Sequence, residues 1–293
     1  MNLEKAIPRF AKSAKKITLV ESDPALISGL RSYSVFPQAC IYISDKLQSL
    51  GGIDPVSRVD GNTGLPVENL MQRTIAFLIL ATIKVVVRIF YFREFIWIPD
   101  RDQVHFNQAR LLVLLNHTSL YEPLFLSELP FGFLWMIADK IYLPIADVTL
   151  KRPIVGAFFK LMLPRVFPIT RKSDDSWQNY LKSIEADDLV IIAAEGRMKR
   201  PNGFDKHGKK MSIRGGVADI IERLEGGTML ICHSGGLHHI QIPGQLIPKV
   251  FQKIRMKVTV IDILEYKKKF SDNPRERKIR IVEDLQTRLE TNF

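Results

Sequence analysis

Short, wholly apolar runs that each stop at polar residues restrict this chain more than any other feature. Leu111–Leu115 (LLVLL) stops at Asn116 and His117, and Leu189–Ala194 (LVIIAA) stops at Glu195-Gly196-Arg197. Continuous apolar runs of this length fit strands buried inside a sheet. Between them, Trp177–Ala186 has the pattern of an amphipathic helix, entered through Ser173, Asp174, Asp175 and Ser176. Strand and helix alternating at this spacing imply right-handed crossovers. The expected fold is therefore α/β, with a mixed, mainly parallel sheet flanked by helices. A chain of 293 residues that is 46% hydrophobic can build such a core.

Other stretches fill in the alternation. Trp135–Leu150 reads as a strand or short helix, Ile154–Leu163 as an apolar helix, and Arg165–Arg171 as a strand ending on a cation. Gly215-Gly216-Val217 opens a helix over Ala218–Leu224. Thr228–Cys232 and Lys257–Leu264 read as strands, and Arg275–Glu290 as an amphipathic closing helix with Ile281, Leu285 and Leu289 four apart.

The break after Leu115 carries the candidate chemistry. Pro123 favours the first position of a helix and holds Glu122 in a non-helical conformation at its entrance. On one continuous helix His117 and Glu122 would point about 140° apart, but across a loop they can meet. An imidazole facing a carboxylate is a base with its orienting group: the carboxylate fixes the tautomer, and the other ring nitrogen is free to take a proton. A substrate hydroxyl then serves as the nucleophile. The alternative is that His117 caps a strand and Glu122 a helix dipole.

Arg73–Ile98 is the most apolar stretch of the chain. Uncharged residues run only from Thr74 to Ile83, about 15 Å of helix and half of what a bilayer core requires. Lys84 and Arg88 lie four apart, with Arg93, Glu94 and Trp97 beyond. That pattern predicts a helix docked in the membrane interface with its cations snorkelling; a buried helical hairpin is the alternative. The expected organisation is an accessory segment over 1–70, a membrane-docking helical segment over 71–98 and an α/β domain over 99–293. The formal charge of +11 points to anionic partners, and two distant cysteines, Cys40 and Cys232, suggest a reducing compartment without disulfides. No signal-peptide pattern opens the chain.

Between Arg197 and Arg214 lie seven Lys or Arg residues and one acid, Asp205, interleaved with Pro201, Asn202, Gly203 and Gly208. Such a segment can cradle a phosphate or a phosphopantetheine-nucleotide carrier, aided by the helix N-terminus at Gly215-Gly216, although charge runs are more often simply solvated.

The stretch NHTSLYEP resembles the first motif of the glycerolipid acyltransferase superfamily, Asn-His-x-Ser-x-x-Asp-Pro, with Glu122 in place of the family's Asp. VIIAAEGRMKR is similar to the third motif, Glu-Gly-Thr-Arg, with threonine missing and Arg197 one place early, so that Arg200 is an alternative cation. FPITR, ending at Arg171, is similar to the second motif, and TMLIC sits where the fourth block would lie, without its proline. The resemblance spans roughly residues 100–245. It implies acyl transfer from acyl-CoA or acyl-carrier protein to a lyso-lipid or glycerol phosphate at the cytoplasmic face of a membrane, with no metal and no bound cofactor. It assigns His117 as general base, Glu122 as its orienter, Arg171 with Arg197 or Arg200 to the acceptor phosphate, and Glu195 and Gly196 to the shape of the acceptor site.

His233, His238 and His239 cluster around Gly235-Gly236, but no further ligand spacing supports a metal, and neighbouring His238 and His239 point apart on a regular element. A membrane scaffold that has lost catalysis is the alternative function, supported by Glu122 and Met198. Nucleic-acid binding ranks last, because no recognisable motif accompanies the charge.

Overall fold

A computed structural model describes residues 66–291 apart from 153–155, 157, 158, 160–162, 164, 171–173, 243, 244 and 246. The accessory segment 1–70 therefore lies almost wholly outside the described residues, as do most of the expected helix over 154–163 and Arg171 itself.

The chain enters through helix α1 (Pro66–Phe90) and strand β1 (Phe92–Ile98). Strand β2 (Ala109–Leu115) leads into a 3-10 segment, Glu122–Glu128. Helix α2 (Phe131–Lys140), strand β3 (Ile141–Ala146) and the short helix α3 (Asp147–Leu150) follow. Then come β4 (Arg165–Ile169), α4 (Ser176–Lys182), β5 (Leu189–Ala193), α5 (Gly216–Arg223) and β6 (Thr228–Ser234). Strand β7 (Lys253–Asp262) and helices α6 (Ile263–Lys268) and α7 (Pro274–Glu290) close the chain.

The seven strands form one sheet in the order β1-β7-β6-β2-β5-β3-β4. All neighbouring pairs are parallel except β6 with β7, which gives the mixed, mainly parallel sheet that the apolar runs predict. On one face Leu111, Val113 and Leu115 of β2, Val190 of β5 and Ile231 of β6 pack with Val217, Ile220 and Ile221 of α5 and Ile281 and Leu285 of α7. Each such side chain contributes about 1.5–3 kcal/mol by leaving water.

The expected helical segment over 71–98 is corrected: it is a helix to Phe90 and then a strand. Phe92–Ile98 (FREFIWI) is rich in aromatic and β-branched residues, which suit a pleated surface, and it pairs in register with β7. The α/β sheet thus begins at residue 92. No Gly or Pro separates the two elements, so the boundary had no sequence signal. Trp135–Leu150 likewise resolves into the end of α2, then β3 and α3.

Helix α1 buries Ala76, Leu80, Ile83 and Val87, a stripe at helical spacing, and packs on α2 and the 3-10 segment. Lys84 is on this inner stripe, which corrects the expectation that it snorkels towards lipid. It is 2% exposed, and its ammonium donates to the carbonyls of Ser127 and Leu129, both at 2.6 Å. Burial first, and Arg88 next, push its pKa down to about 8. Arg93, at the start of β1, pairs with Glu128 at the same end of the 3-10 segment. The opposite side of α1 remains apolar and exposed at Leu78, Val85 and Ile89, beside exposed Arg88. Among the described residues no helix is long and apolar enough to cross a membrane.

Candidate active site

Strands β2, β5 and β6 run in the same direction side by side, so their carboxyl ends share one edge of the sheet. Leu114 pairs with Ala193 on one side, and Leu115 with His233 on the other. In open parallel sheets, this edge is where ligands bind. Three polar segments leave it: Asn116–Glu122, Glu195–Lys199 and Ser234–Gln241.

The first turn out of the sheet is left-handed. Asn116 has φ 62°, a conformation that asparagine tolerates better than most residues, and Gly196, after β5, has φ 64°. Between the two turns sits Glu195, 1% exposed, whose Oε1 accepts the backbone N–H of Asn116 at 2.7 Å and of His117 at 3.2 Å. Glu195 thus acts on the main chain that aims His117, and its own Oε2 is buried with no hydrogen-bond partner. Burial, the largest influence, raises its pKa above the usual carboxylate range against these N–H bonds and the charge of His117.

His117 and Glu122 meet. Nδ1 stands 2.7 Å from Glu122 Oε1, with side chains 17% and 10% exposed. The contact lies off the line of an ideal hydrogen bond. Glu122 Oε1 also takes the N–H of Thr118 at 3.2 Å, which holds the carboxylate across the turn. Burial alone would lower the His117 pKa. The Glu122 charge and contact, helped by Glu195, outweigh it, and the pKa is raised above its ordinary value. With Nδ1 on the carboxylate, Nε2 is the nitrogen left for a substrate proton.

The third segment clamps the motif from the other side. Asn116 Nδ2 donates to the Ser234 carbonyl at 2.8 Å, Leu237 N–H to Thr118 Oγ1 at 2.8 Å, and Ser119 Oγ to Gln241 Oε1. Gly235 fits because a Cβ there would come within 2.8 Å of Arg255 Cβ. Two histidines nearby bond the main chain: His238 Nε2 the Lys199 carbonyl at 2.8 Å and His239 Nε2 the Lys253 carbonyl at 2.6 Å.

The basic segment divides its cations. Arg197 pairs with buried Asp205, whose carboxyl is held below the usual range chiefly by the Lys209 N–H, then by Arg197 and the His207 N–H. The Arg197 guanidinium thus fastens its own loop. Lys199 instead faces the motif: its N–H donates to the His117 carbonyl at 2.8 Å and its ammonium approaches Asn116 Oδ1 at 3.4 Å. Arg200 is exposed, its N–H on the Phe204 carbonyl. Gly196 lies at the exposed turn after Glu195. Sequence reasoning passed over Lys199 and the Ser234–Gln241 clamp. The cation in the EGRMKR run was visible, but nothing in the sequence says which of its three cations turns inward. The other cluster of acids among the described residues, Glu185, Asp187 and Asp188, sits at the opposite end of β5 and pairs with Arg165 and Lys140.

Residues 98–235 match the family model described as Acyltransferase. Comparison with curated proteins gives no match. Among solved structures the chain is similar to the 1-acyl-sn-glycerophosphate (LPA) acyltransferase PlsC from Thermotoga maritima, at 16% sequence identity and a TM-score of 0.47, over 78% of this chain and 85% of that one.

Proposed function

We propose, for a chain whose residues 98–235 match the acyltransferase family model and whose motifs resemble those of the glycerolipid acyltransferases, that it moves a fatty acyl group from acyl-CoA or acyl-carrier protein to the hydroxyl of a lysophosphatidic acid-like lipid or glycerol phosphate. The observation that carries this reading is the His117–Glu122 pair at 2.7 Å on the ligand-binding edge of the sheet. Nε2 of His117 takes the acceptor's hydroxyl proton as the oxygen attacks the thioester carbonyl. The carbon–sulfur bond breaks, and the departing thiolate takes the proton back from the imidazolium. Glu122 holds the tautomer and stabilises the imidazolium, while Glu195 holds the backbone that presents it. A scaffold without catalysis would have no need of so closely held a base.

The acceptor's phosphate falls to the cations on this edge. Lys199 is the one whose ammonium approaches the motif, with Arg200 next to it in sequence; Arg171, outside the described residues, follows β4 by two residues in sequence and is proposed as a further phosphate ligand from the motif resemblance. Both acyl product and lyso-acceptor partition into bilayers, and the exposed stripe of Leu78, Val85 and Ile89 with Arg88 on α1 supports docking at the cytoplasmic face of a membrane.

The test is purified protein with radiolabelled acyl-CoA against lysophosphatidic acid, lysophosphatidylcholine, monoacylglycerol and glycerol 3-phosphate. Labelled product from the phosphate monoesters and little from monoacylglycerol is expected. Equal use of all four would remove the phosphate from the proposal, and no product from any would remove the activity.

A further inference from the structure

Several exposed cations outside the site are gathered on one projecting hairpin. Residues 200–210 fold back as a tight hairpin, with Arg200 N–H on the Phe204 carbonyl, Asp205 N–H on the Lys209 carbonyl and a bridge between Phe204 and Lys210. Asp205 is the internal anchor: its Oδ1 takes the N–H groups of His207 and Lys209, and its Oδ2 pairs with Arg197. With Asp205 so occupied, Lys206, His207, Lys209 and Lys210 are all exposed, and Phe204 stands among them 43% exposed. An aromatic side chain held out in water on a prepared loop and ringed by cations is the composition of an element that inserts at a lipid interface.

Its position favours the same partner. The hairpin leaves the sheet beyond β5, at the edge where His117 lies, and Lys199 at its root bonds the His117 carbonyl. The end of α1 reaches this edge too. Ser234 pairs with Met256, and Lys253 at the start of β7 pairs with Phe92, which places Phe92, 64% exposed, and the adjoining Ile89, 57% exposed, on that side. Lys84 from α1 and Lys199 from the hairpin root hold the two ends of the segment 117–129.

We infer that the Phe204 hairpin is a second docking element, which seats with the end of α1 on an anionic bilayer so that the His117 edge opens onto the lipid surface. This deepens the membrane-surface part of the proposed function and rests on it. Phe204 enters the interface, and Lys206, Lys209 and Lys210 meet acidic headgroups. The acceptor then reaches Nε2 without leaving the bilayer.

The experiment uses the full chain with vesicles of phosphatidylcholine alone or mixed with phosphatidylglycerol. Phe204→Ser, the triple change Lys206→Ser/Lys209→Ser/Lys210→Ser, and Ile89→Ser on α1 are compared with wild type by sedimentation. Turnover of a dissolved short-chain acceptor is measured in parallel. Phe204→Ser is expected to lose about tenfold in partitioning onto the anionic vesicles and the triple variant roughly a hundredfold, with turnover of the dissolved acceptor unchanged. Added salt should reproduce the triple variant's loss. Wild-type partitioning by both hairpin variants, with Ile89→Ser weakened, overturns the inference and leaves docking to α1. No vesicle binding by wild type overturns it as well. A raised acyl-CoA KM in the triple variant with unchanged partitioning would make the hairpin a donor-nucleotide site instead. Wild type inactive on dissolved substrates would sink the acyltransferase reading, while the sedimentation still decides the hairpin.

Discussion

Lys84→Met removes a cation that the sequence places towards lipid and the structure places inside. Two carbonyls, of Ser127 and Leu129, lose donors at 2.6 Å. A hydrogen bond to a charged group is worth about 1.5–3 kcal/mol, and an orphaned buried carbonyl costs a comparable amount. Against this, methionine spares the desolvation that depresses the lysine pKa. We expect a net loss of about 2–4 kcal/mol, measured as a lower urea midpoint with an unchanged slope. The pH dependence gives a second, independent sign. The folded pKa is about 8 against 10.5 for a free lysine, so between these values the unfolded chain binds more protons. Wild-type stability from this group therefore rises with pH across that window, and the rise is absent in the methionine variant. A variant that unfolds with the wild-type midpoint and pH profile would refute the buried placement.

Glu122→Asp should lower kcat by about ten- to a hundredfold, because the shorter arm withdraws the carboxylate from Nδ1 by more than about 1 Å in a preorganised site; a faster Asp variant would mean that the site is a weakened form of the family's. Glu122→Gln removes the charge that raises the His117 pKa, so the acidic limb of the kcat/KM profile should shift to lower pH as the maximum falls. An unmoved limb would assign it to another group. Glu195→Gln keeps an acceptor for the Asn116 and His117 N–H groups but removes the charge and buries an unpartnered amide, so the same limb should move down slightly and stability fall by about 1–3 kcal/mol. Wild-type behaviour in both readouts would show that Glu195 only fills space.

What was legible in the sequence was local. LLVLL and LVIIAA announced β2 and β5 because each is uninterrupted apolar sequence stopped by polar residues, and Pro123 announced that His117 and Glu122 lie across a turn. Lys84 could not be placed this way. A lysine four residues from Arg88 fits a snorkelling face, and its true partners are backbone carbonyls over forty residues away, which carry no sequence signature. Strand β1 was hidden because apolar helix and apolar strand run together without a breaker. The clamp on the motif was hidden for a related reason: Asn116, Thr118 and Ser119 meet Ser234, Leu237 and Gln241 across more than a hundred residues, by bonds to backbone and common polar groups. The roles of Arg197 and Lys199 were separable only once Asp205 was seen to claim the former.

The central claim is that the nitrogen opposite Glu122 takes the acceptor's proton. Its most direct measurement is steady-state transfer of labelled acyl groups by wild type and His117→Ala, each first shown to have the same unfolding midpoint. The account predicts a fall in kcat of about two to four orders of magnitude, with the donor KM little changed. Near-wild-type turnover in a folded His117→Ala protein would contradict it.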